Sequence, residues 1–314
     1  MKTSKKINLF FFGAGSIIND HIKAFKSQKN ICLYAILSRT PAKAIALKKK
    51  YQIKHIFEKF SEIHHEKNSI SVAIIGVSAG ATYQVCKNVF NLFDCCLVEK
   101  PAGYNYEESK KIYTLSKKKN VKVFVALNRR FFSSTLSLHN LLHKAKGARI
   151  VNILDYENTF SIKNLHPKKI INNWMFSNSI HVIDYANFLC RGKIVSIKKN
   201  IFTKQKKLIH LIYSSGDICI YQSIWERPGP WTVTVSTNKF YFKLDPLEEL
   251  SFRTTDSYNY NLIPRDNRDK TYKPGFHRQA VDFIRAAQGK QHKLVSLNKS
   301  LETMKLISSL YDKK

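Results

Sequence analysis

Three short groups of residues carry side chains at spacings suited to chemistry. Glu99-Lys100-Pro101 directly follows an apolar run, Cys95–Val98, that reads as a buried strand. A lysine at the carboxyl end of a parallel strand emerges over the crevice where open α/β sheets hold ligands, and an ammonium there stabilises alkoxide character on a reacting oxygen. Gly13-Ala14-Gly15 follows another apolar run, Ile7–Phe12. A glycine turn between a strand and a helix cradles a pyrophosphate. His181 and Asp184 stand one helical turn apart. The imidazole passes a proton in either direction at neutral pH, and a carboxylate on the same face orients it or binds a substrate hydroxyl. Nucleotide at one strand end and ammonium at another is the layout of a dehydrogenase.

The nucleotide end carries a departure and a clue. The third fingerprint position, where Gly or Ala normally lets helix and strand pack closely, is Ile18. The second strand ends in Ser38-Arg39-Thr40 rather than in the Asp or Glu that accepts hydrogen bonds from an adenosine ribose. An arginine fork with two hydroxyls suits a 2′-phosphate, so the expected cofactor is NADP(H), with NAD(H) the lesser alternative.

The elements that position these residues fall into two textures. Strand-like runs at Ile7–Phe12, Ile31–Leu37, Ile70–Val77, Cys95–Val98 and Val121–Leu127 alternate with helical stretches at 18–27, 42–51, 82–92 and 106–119. That alternation argues for a parallel sheet covered on both faces. After Asn128 strand-like runs dominate, at 149–156, 193–201, 208–214, 218–225, 232–236 and 239–244, some joined by hairpin signals such as Ser214-Ser215-Gly216-Asp217. Helices are expected at 179–189, 278–288 and 296–311, and a long polar loop at 258–273. The expected fold class is α/β: an N-terminal Rossmann domain, doubly wound and parallel, over residues 1–127, then an α+β domain with a largely antiparallel open sheet over 128–314. The C-terminal helices are free to pack back on the first domain.

The chain has 314 residues and a net charge of +31, with 42 Lys against 11 Arg. Arginine grips phosphate and guanine edges in bidentate fashion, so a dispersed lysine excess (Lys48–Lys50, Lys117–Lys119, Lys198-Lys199, Lys313-Lys314) reads as solvated surface, not a nucleic-acid site. The six cysteines form no CxxC pair and sit mostly in apolar runs, which suits a reducing compartment. The apolar run after Lys5-Lys6 ends in the glycine turn, not at a cleavage site, and no stretch reaches the length of a membrane span. The expected location is cytoplasmic, without membrane association. His139 and His143 have zinc-like spacing but lack the intervening Glu and a third ligand, so no metal is expected. His64-His65 reads as a solvated loop.

Gly13-Ala14-Gly15-Ser16-Ile17 with His21 and Ala24-Phe25, the Glu99-Lys100-Pro101 triplet, and His181-Val182-Ile183-Asp184 together resemble the Gfo/Idh/MocA family (glucose–fructose oxidoreductase, inositol dehydrogenase and MocA-like proteins). Val125–Phe131 resembles the family's crossing into its second domain, and Lys273–Gln279 its late segment, so the resemblance runs along nearly the whole chain. It implies a nicotinamide cofactor held by Gly13, Gly15, Ser16, Ile17, Ser38, Arg39, Thr40, Glu99 and Lys100. It also implies a sugar-like substrate met by Lys100, Asn128, Arg130, His181 and Asp184. Lys100, His181 and Asp184 are the implied catalytic group; Lys100 would touch both substrate oxygen and nicotinamide ribose, and the Lys100–Pro101 bond is often cis in such enzymes. Many members carry an Asp one turn before the histidine, where this chain has Ser177, and a proline-containing turn where it has Gly76–Tyr83. Trp174, Trp225 and Trp231 offer stacking platforms for a sugar, although at least two of them suit core packing better. Relatives often pair subunits through the second sheet, so a homo-oligomer is expected. The resulting expectation is an NADP(H)-dependent oxidoreductase moving a hydride to or from a carbinol or carbonyl carbon of a sugar. The alternative is a catalytically silent sugar or cofactor sensor on the same fold.

Overall fold

A computed structural model describes residues 5–203 and 205–312; Lys313-Lys314, counted above among the scattered lysines, lie outside the described residues. The chain divides into two compact units, one of residues up to Asn128 with Thr271–Glu302, the other of Arg129–Lys270 with the residues from Thr303 onward. Segment 271–302 thus clusters with the first unit rather than with the rest of the second half.

The first unit is built on β1 (Ile7–Phe12), β2 (Ile31–Leu37), β3 (His55–Phe57), β4 (Ile70–Ile75), β5 (Cys95–Glu99) and β6 (Lys122–Ala126). These strands are parallel, in the order β6-β5-β4-β1-β2-β3. Every residue of β1 is buried, as expected of a central strand covered on both faces. Helices α1 (Ser16–Lys26), α2 (Pro41–Tyr51), α3 (Thr82–Val89) and α4 (Tyr106–Lys118) supply the cover. Asn105 caps α4 by accepting from Glu108 N at 2.9 Å, and Glu107 and Glu108 complement its dipole. From β1 the chain builds outward through β2 and β3 on one side and then, from β4, through β5 and β6 on the other, so the strand order reverses between β1 and β4. Ligands of doubly wound sheets bind at that switch point.

The second unit holds α5 (Ser133–Lys144), β7 (Ile150–Asp155), α6 (Lys168–Ile171) and α7 (Ile180–Leu189), followed by β8 (Ile194–Ile201), β9 (Lys206–Tyr213) and β10 (Ile218–Ile224). Next come β11 (Thr232–Ser236), β12 (Phe240–Leu244), β13 (Leu250–Thr254), β14 (Asn261–Ile263) and α8 (Asn267–Thr271). Its sheet runs β14-β13-β12-β11-β7-β10-β9-β8, antiparallel except for the β7–β10 pair. Strict alternation of burial along β9 and β10 marks one packed face and one open face. Helix α7 packs against β7. The polar segment 258–273, expected as a loop, contains β14 and α8.

Back in the first unit, α9 (Phe276–Ala287) is strongly amphipathic and packs on α1, while β15 (Val295–Ser296) adds antiparallel to β6 ahead of α10 (Leu297–Tyr311). An apolar stripe without a partner in its own segment must find one elsewhere, which is why this piece returns.

His64 and His65 lie in an exposed loop, as expected. Their rings nevertheless touch aromatic neighbours: His65 lies 5.5 Å from Phe10 and 5.0 Å from Phe93, and His64 lies against Tyr34, His55 and Phe57. Burial, then the nearby charge of Lys54, lowers the His55 pKa. Burial, then His64, lowers that of His65. A depressed histidine pKa means the unfolded chain binds more protons below about pH 6.5, so stability falls as pH drops through that range. Thermal unfolding between pH 7.5 and 5.5 should show a falling midpoint, with a shallower fall in His65→Gln.

Candidate active site

The switch point is a place of near-contact between backbones. Gly13, at φ +110°, follows β1, and a Cβ placed there would sit 2.4 Å from Gly76 O at the end of β4. Gly13 N donates to Leu37 O (2.8 Å) and Gly76 N to Phe12 O (2.9 Å), which ties the three strand ends together. Gly15 is the N-cap of α1 and has no side-chain cap. A Cβ on it would meet nothing within 4 Å, so the helix N-terminus opens onto space. That space is a cavity of about 600 Å³. Backbone N–H groups and a helix dipole at such an opening suit a pyrophosphate, and a cradle that admits no Cβ at Gly13 fits a dinucleotide.

Ile18 is fully buried, and it occupies the room that a side chain at position 76 would take: a Gly76 Cβ would stand 2.6 Å from Ile18 Cδ1. The missing small residue on the helix is therefore matched by a missing side chain on the strand end.

At one rim of the cavity stand Ser38, Arg39, Thr40 and Lys43. Ser38 Oγ accepts from Thr40 N at 3.1 Å, which shapes the turn. No carboxylate is among the described lining residues. Lys43 escaped the sequence reading, although its place in the first turn of α2, four residues after Arg39, was the available signal. Phe60, also unforeseen, lines the cavity and stacks on Phe12 with centroids 5.8 Å apart and rings at 9°. Ser16 and Ile17 sit in the first turn of α1.

At the end of β5, Glu99 spends its carboxylate inside the protein. Oε1 pairs with His21 Nε2 at 2.8 Å and Oε2 accepts from Lys100 N at 3.2 Å, both side chains of the pair being buried. Glu99 thereby ties α1, behind the glycine turn, to the strand end that carries Lys100. Lys100 is half-buried and the Lys100–Pro101 peptide is cis. Asn128 donates to Pro274 O at 3.0 Å within this unit.

In the second unit His181 and Asp184 lie on α7, both buried. The two Asp184 oxygens are engaged by Arg130, whose Nε and Nη2 donate at 2.6 and 2.8 Å, and by Thr303 Oγ1 at 2.8 Å. Arg130 also lies over the Phe188 ring at 4.8 Å. Arg130 and Asp184, expected to face a substrate, thus form a bidentate pair that fixes α7. Ser177 lies in a π-turn, Met175–Ser179, that leads into the helix. Two carboxylates missed in the sequence, where nothing separated them from surface acids, gather beside that turn. Glu157 accepts from Trp174 Nε1 (2.9 Å) and Asn178 Nδ2 (2.9 Å). Asp155 accepts from Tyr221 Oη (2.6 Å) and Trp225 Nε1 (3.3 Å). Of the three tryptophans, Trp225 is core at 4% exposure, while Trp174 and Trp231 are half-buried. His139 stacks on Phe188, and no group of three or more potential metal ligands occurs among the described residues.

A doubly wound sheet with a glycine cradle at its switch point and a lysine at a neighbouring strand end has the architecture of a dinucleotide-binding domain. Residues 7–127 match the Gfo/Idh/MocA family, described as an oxidoreductase family with an NAD-binding Rossmann fold. That match lies within the first unit and covers less than half of the chain. An uncharacterised oxidoreductase of Schizosaccharomyces pombe is 24% identical over 135 residues, 42% of this chain, and the match spans about a third (36%) of that relative's length. Among solved structures, a dehydrogenase from Chromobacterium violaceum superposes with a TM-score of 0.82 at 12% identity, covering 98% of this chain and 95% of its own. Levoglucosan dehydrogenase in complex with NADH and levoglucosan gives 0.79 at 14% identity, over 98% and 96% of the two chains. UDP-N-acetylglucosamine 3-dehydrogenase from Acidithiobacillus ferrooxidans gives 0.75 at 12%, over 97% and 96%. At these identities the likeness is one of fold.

The Gly76–Ile18 contact makes a sharp prediction. Gly76→Ala should lower the urea midpoint and weaken nucleotide binding, because the new methyl meets Ile18. Ile18→Ala alone should cost about 2–5 kcal/mol through the cavity it leaves. The double variant should be more stable than the two losses sum to, as a double-mutant cycle in urea would show.

Proposed function

We propose that the chain is an NADP(H)-dependent oxidoreductase that moves a hydride to or from a carbinol or carbonyl carbon of a sugar or sugar derivative. The observation that carries this reading is the cavity at the switch point, with its glycine cradle at one end and Arg39 and Lys43 at its carboxylate-free rim. Gly13 and Gly15 admit the pyrophosphate, with the N–H groups of Ser16 and Ile17 behind it, and Phe60 offers an apolar wall to the adenine. Ser38, Arg39, Thr40 and Lys43 suit a 2′-phosphate and leave an NAD(H) ribose without its customary carboxylate. When bound, the nicotinamide supplies the hydride acceptor or donor.

The rest falls to the chain's own side chains. Lys100 holds its ammonium at the reacting oxygen and stabilises the charge that develops there, an electrostatic effect already in place before reaction. His181 takes or returns the hydroxyl proton. Glu99 acts on Lys100 by fixing its backbone, and Asp184 with Arg130 acts on His181 by fixing α7. The chain works in the cytoplasm on this reading, where its six cysteines, all free thiols and five of them buried, remain reduced. Among the described residues no helix is long and apolar enough to cross a membrane. A second copy of the chain covers the open face of the second sheet, where Leu208, Ile212, Ile218, Ile220 and Ile224 point away from the packed face.

Fluorescence titration should find NADPH bound more tightly than NADH. Arg39→Ala should raise the NADPH Kd about tenfold, or about 1.4 kcal/mol, and leave NADH nearly unmoved. Turnover screened with levoglucosan, myo-inositol and UDP-N-acetylglucosamine should be abolished by Lys100→Ala with NADPH binding intact. Absence of binding by either nucleotide would end the oxidoreductase reading. Sedimentation should show a dimer or larger species, and Ile220→Lys should shift it to monomer.

A further inference from the structure

Trp231 stands apart from the other two indoles. Its ring lies 6.3 Å from the His181 ring, tilted at 58°, and the Arg129 guanidinium sits 5.1 Å over it. The segment that delivers it, Glu226-Arg227-Pro228-Gly229-Pro230, is stiff. Two prolines fix φ on either side of Gly229, and a Cβ on Gly229 would stand 2.6 Å from the Tyr156 ring, so the loop is pressed onto Tyr156. Glu226 N donates to Glu157 O at 2.7 Å, which pins the loop's start.

The indole nitrogen is buried and makes no hydrogen bond among the described residues, so the ring is held by its loop and by Arg129. Asp155 Oδ2 accepts from Tyr221 Oη and Trp225 Nε1, and Tyr221 Oη is held in turn by Tyr311 Oη at 2.7 Å.

Resting on the oxidoreductase reading above, we propose that Trp231 is the wall that positions a sugar ring beside His181. Arg129 covers one indole face; the other takes the C–H side of a sugar ring and leaves its hydroxyls free at the edges, beside His181. A ring fixed before binding loses little entropy when the substrate docks.

The test uses the full-length protein and whichever of the three polyols above it turns over. Trp231→Phe, Trp231→Leu and Trp231→Ala are compared for KM, kcat, NADPH Kd and thermal midpoint. Trp231→Ala and Trp231→Leu should each raise the sugar KM about tenfold with kcat within about threefold and NADPH Kd unchanged. Trp231→Phe, which keeps an aromatic face, should recover most of the loss. A merely structural Trp231 would be rescued by the bulk of leucine, so a KM in Trp231→Leu within twofold of wild type overturns the wall. Equal impairment of Phe and Leu variants overturns it as well. If NADPH binds but no polyol is turned over, the sugar oxidoreductase reading falls first and the wall with it.

Discussion

The close approach of two backbones at the sheet's switch point governs the rest of the first unit. Gly13 and Gly76 face each other at a distance that no Cβ on Gly13 would tolerate, and each strand end is bonded to the next. Once β1 and β4 end so tightly together, α1 must start immediately behind, and its open N-terminus faces the cavity. The bulky Ile18 is compatible with this only because Gly76 yields its side-chain volume. A fingerprint read on the helix alone registers a defect. Read across the pair, the volume is conserved, which is the condition under which cores tolerate substitution. From the same point Glu99 reaches His21 on α1, so the strand end bearing Lys100 is referenced to the helix that receives the pyrophosphate.

The carboxylates of this strongly basic chain are few, and several are spent inside it. Only 22 acids stand against 53 Lys and Arg. Glu99 serves the glycine-turn helix, Asp184 locks Arg130 and Thr303, and Asp217 accepts from Arg149 N and from Arg191 N and its guanidinium. Replacing such buried pairs by apolar residues is often neutral, whereas removing one partner strands the other and costs about 3–5 kcal/mol. These pairs therefore add specificity of arrangement more than stability. The lysines left over at the surface set the net charge and bear on solubility and encounter with anionic ligands, not on the fold.

The first unit was legible in the sequence because its signals are local. Strands Ile7–Phe12 and Ile31–Leu37 are bounded where the apolar runs end, and alternation with helices gives the parallel sheet. The second unit's central strands announced themselves by alternation, but β13, β14 and α5 did not. Leu250–Thr254 and Asn261–Ile263 are short and polar-rich, and they become strands through pairing with β12 and with one another. Helix α5 carries His139 and His143, whose spacing drew attention to metal chemistry instead of to the helix that produces it. Site residues divide the same way. Gly13, Gly15 and Arg39 follow from position along the chain, and Lys43 stands in the same short window as Arg39, while Phe60, Asp155 and Glu157 owe their places to chain crossings that no window of sequence contains.

Position 177 is a serine, and the carboxylates beside its turn come from another element. A carboxylate one turn ahead of His181 would sit on the same helix and act through a single rotamer. Here the turn before the helix is a π-turn, whose extra residue changes the direction in which position 177 projects. Negative charge near this turn comes instead from the end of β7, where Asp155 and Glu157, two residues apart on a strand and its extension, fall on one face. Glu157 takes Asn178 and Trp174, and Asp155 takes Tyr221 and Trp225. A strand end supported by neighbouring strands is a stiffer mount than a rotamer on a helix surface, and through Trp174 and Asn178 the Glu157 carboxylate holds the turn that leads into α7.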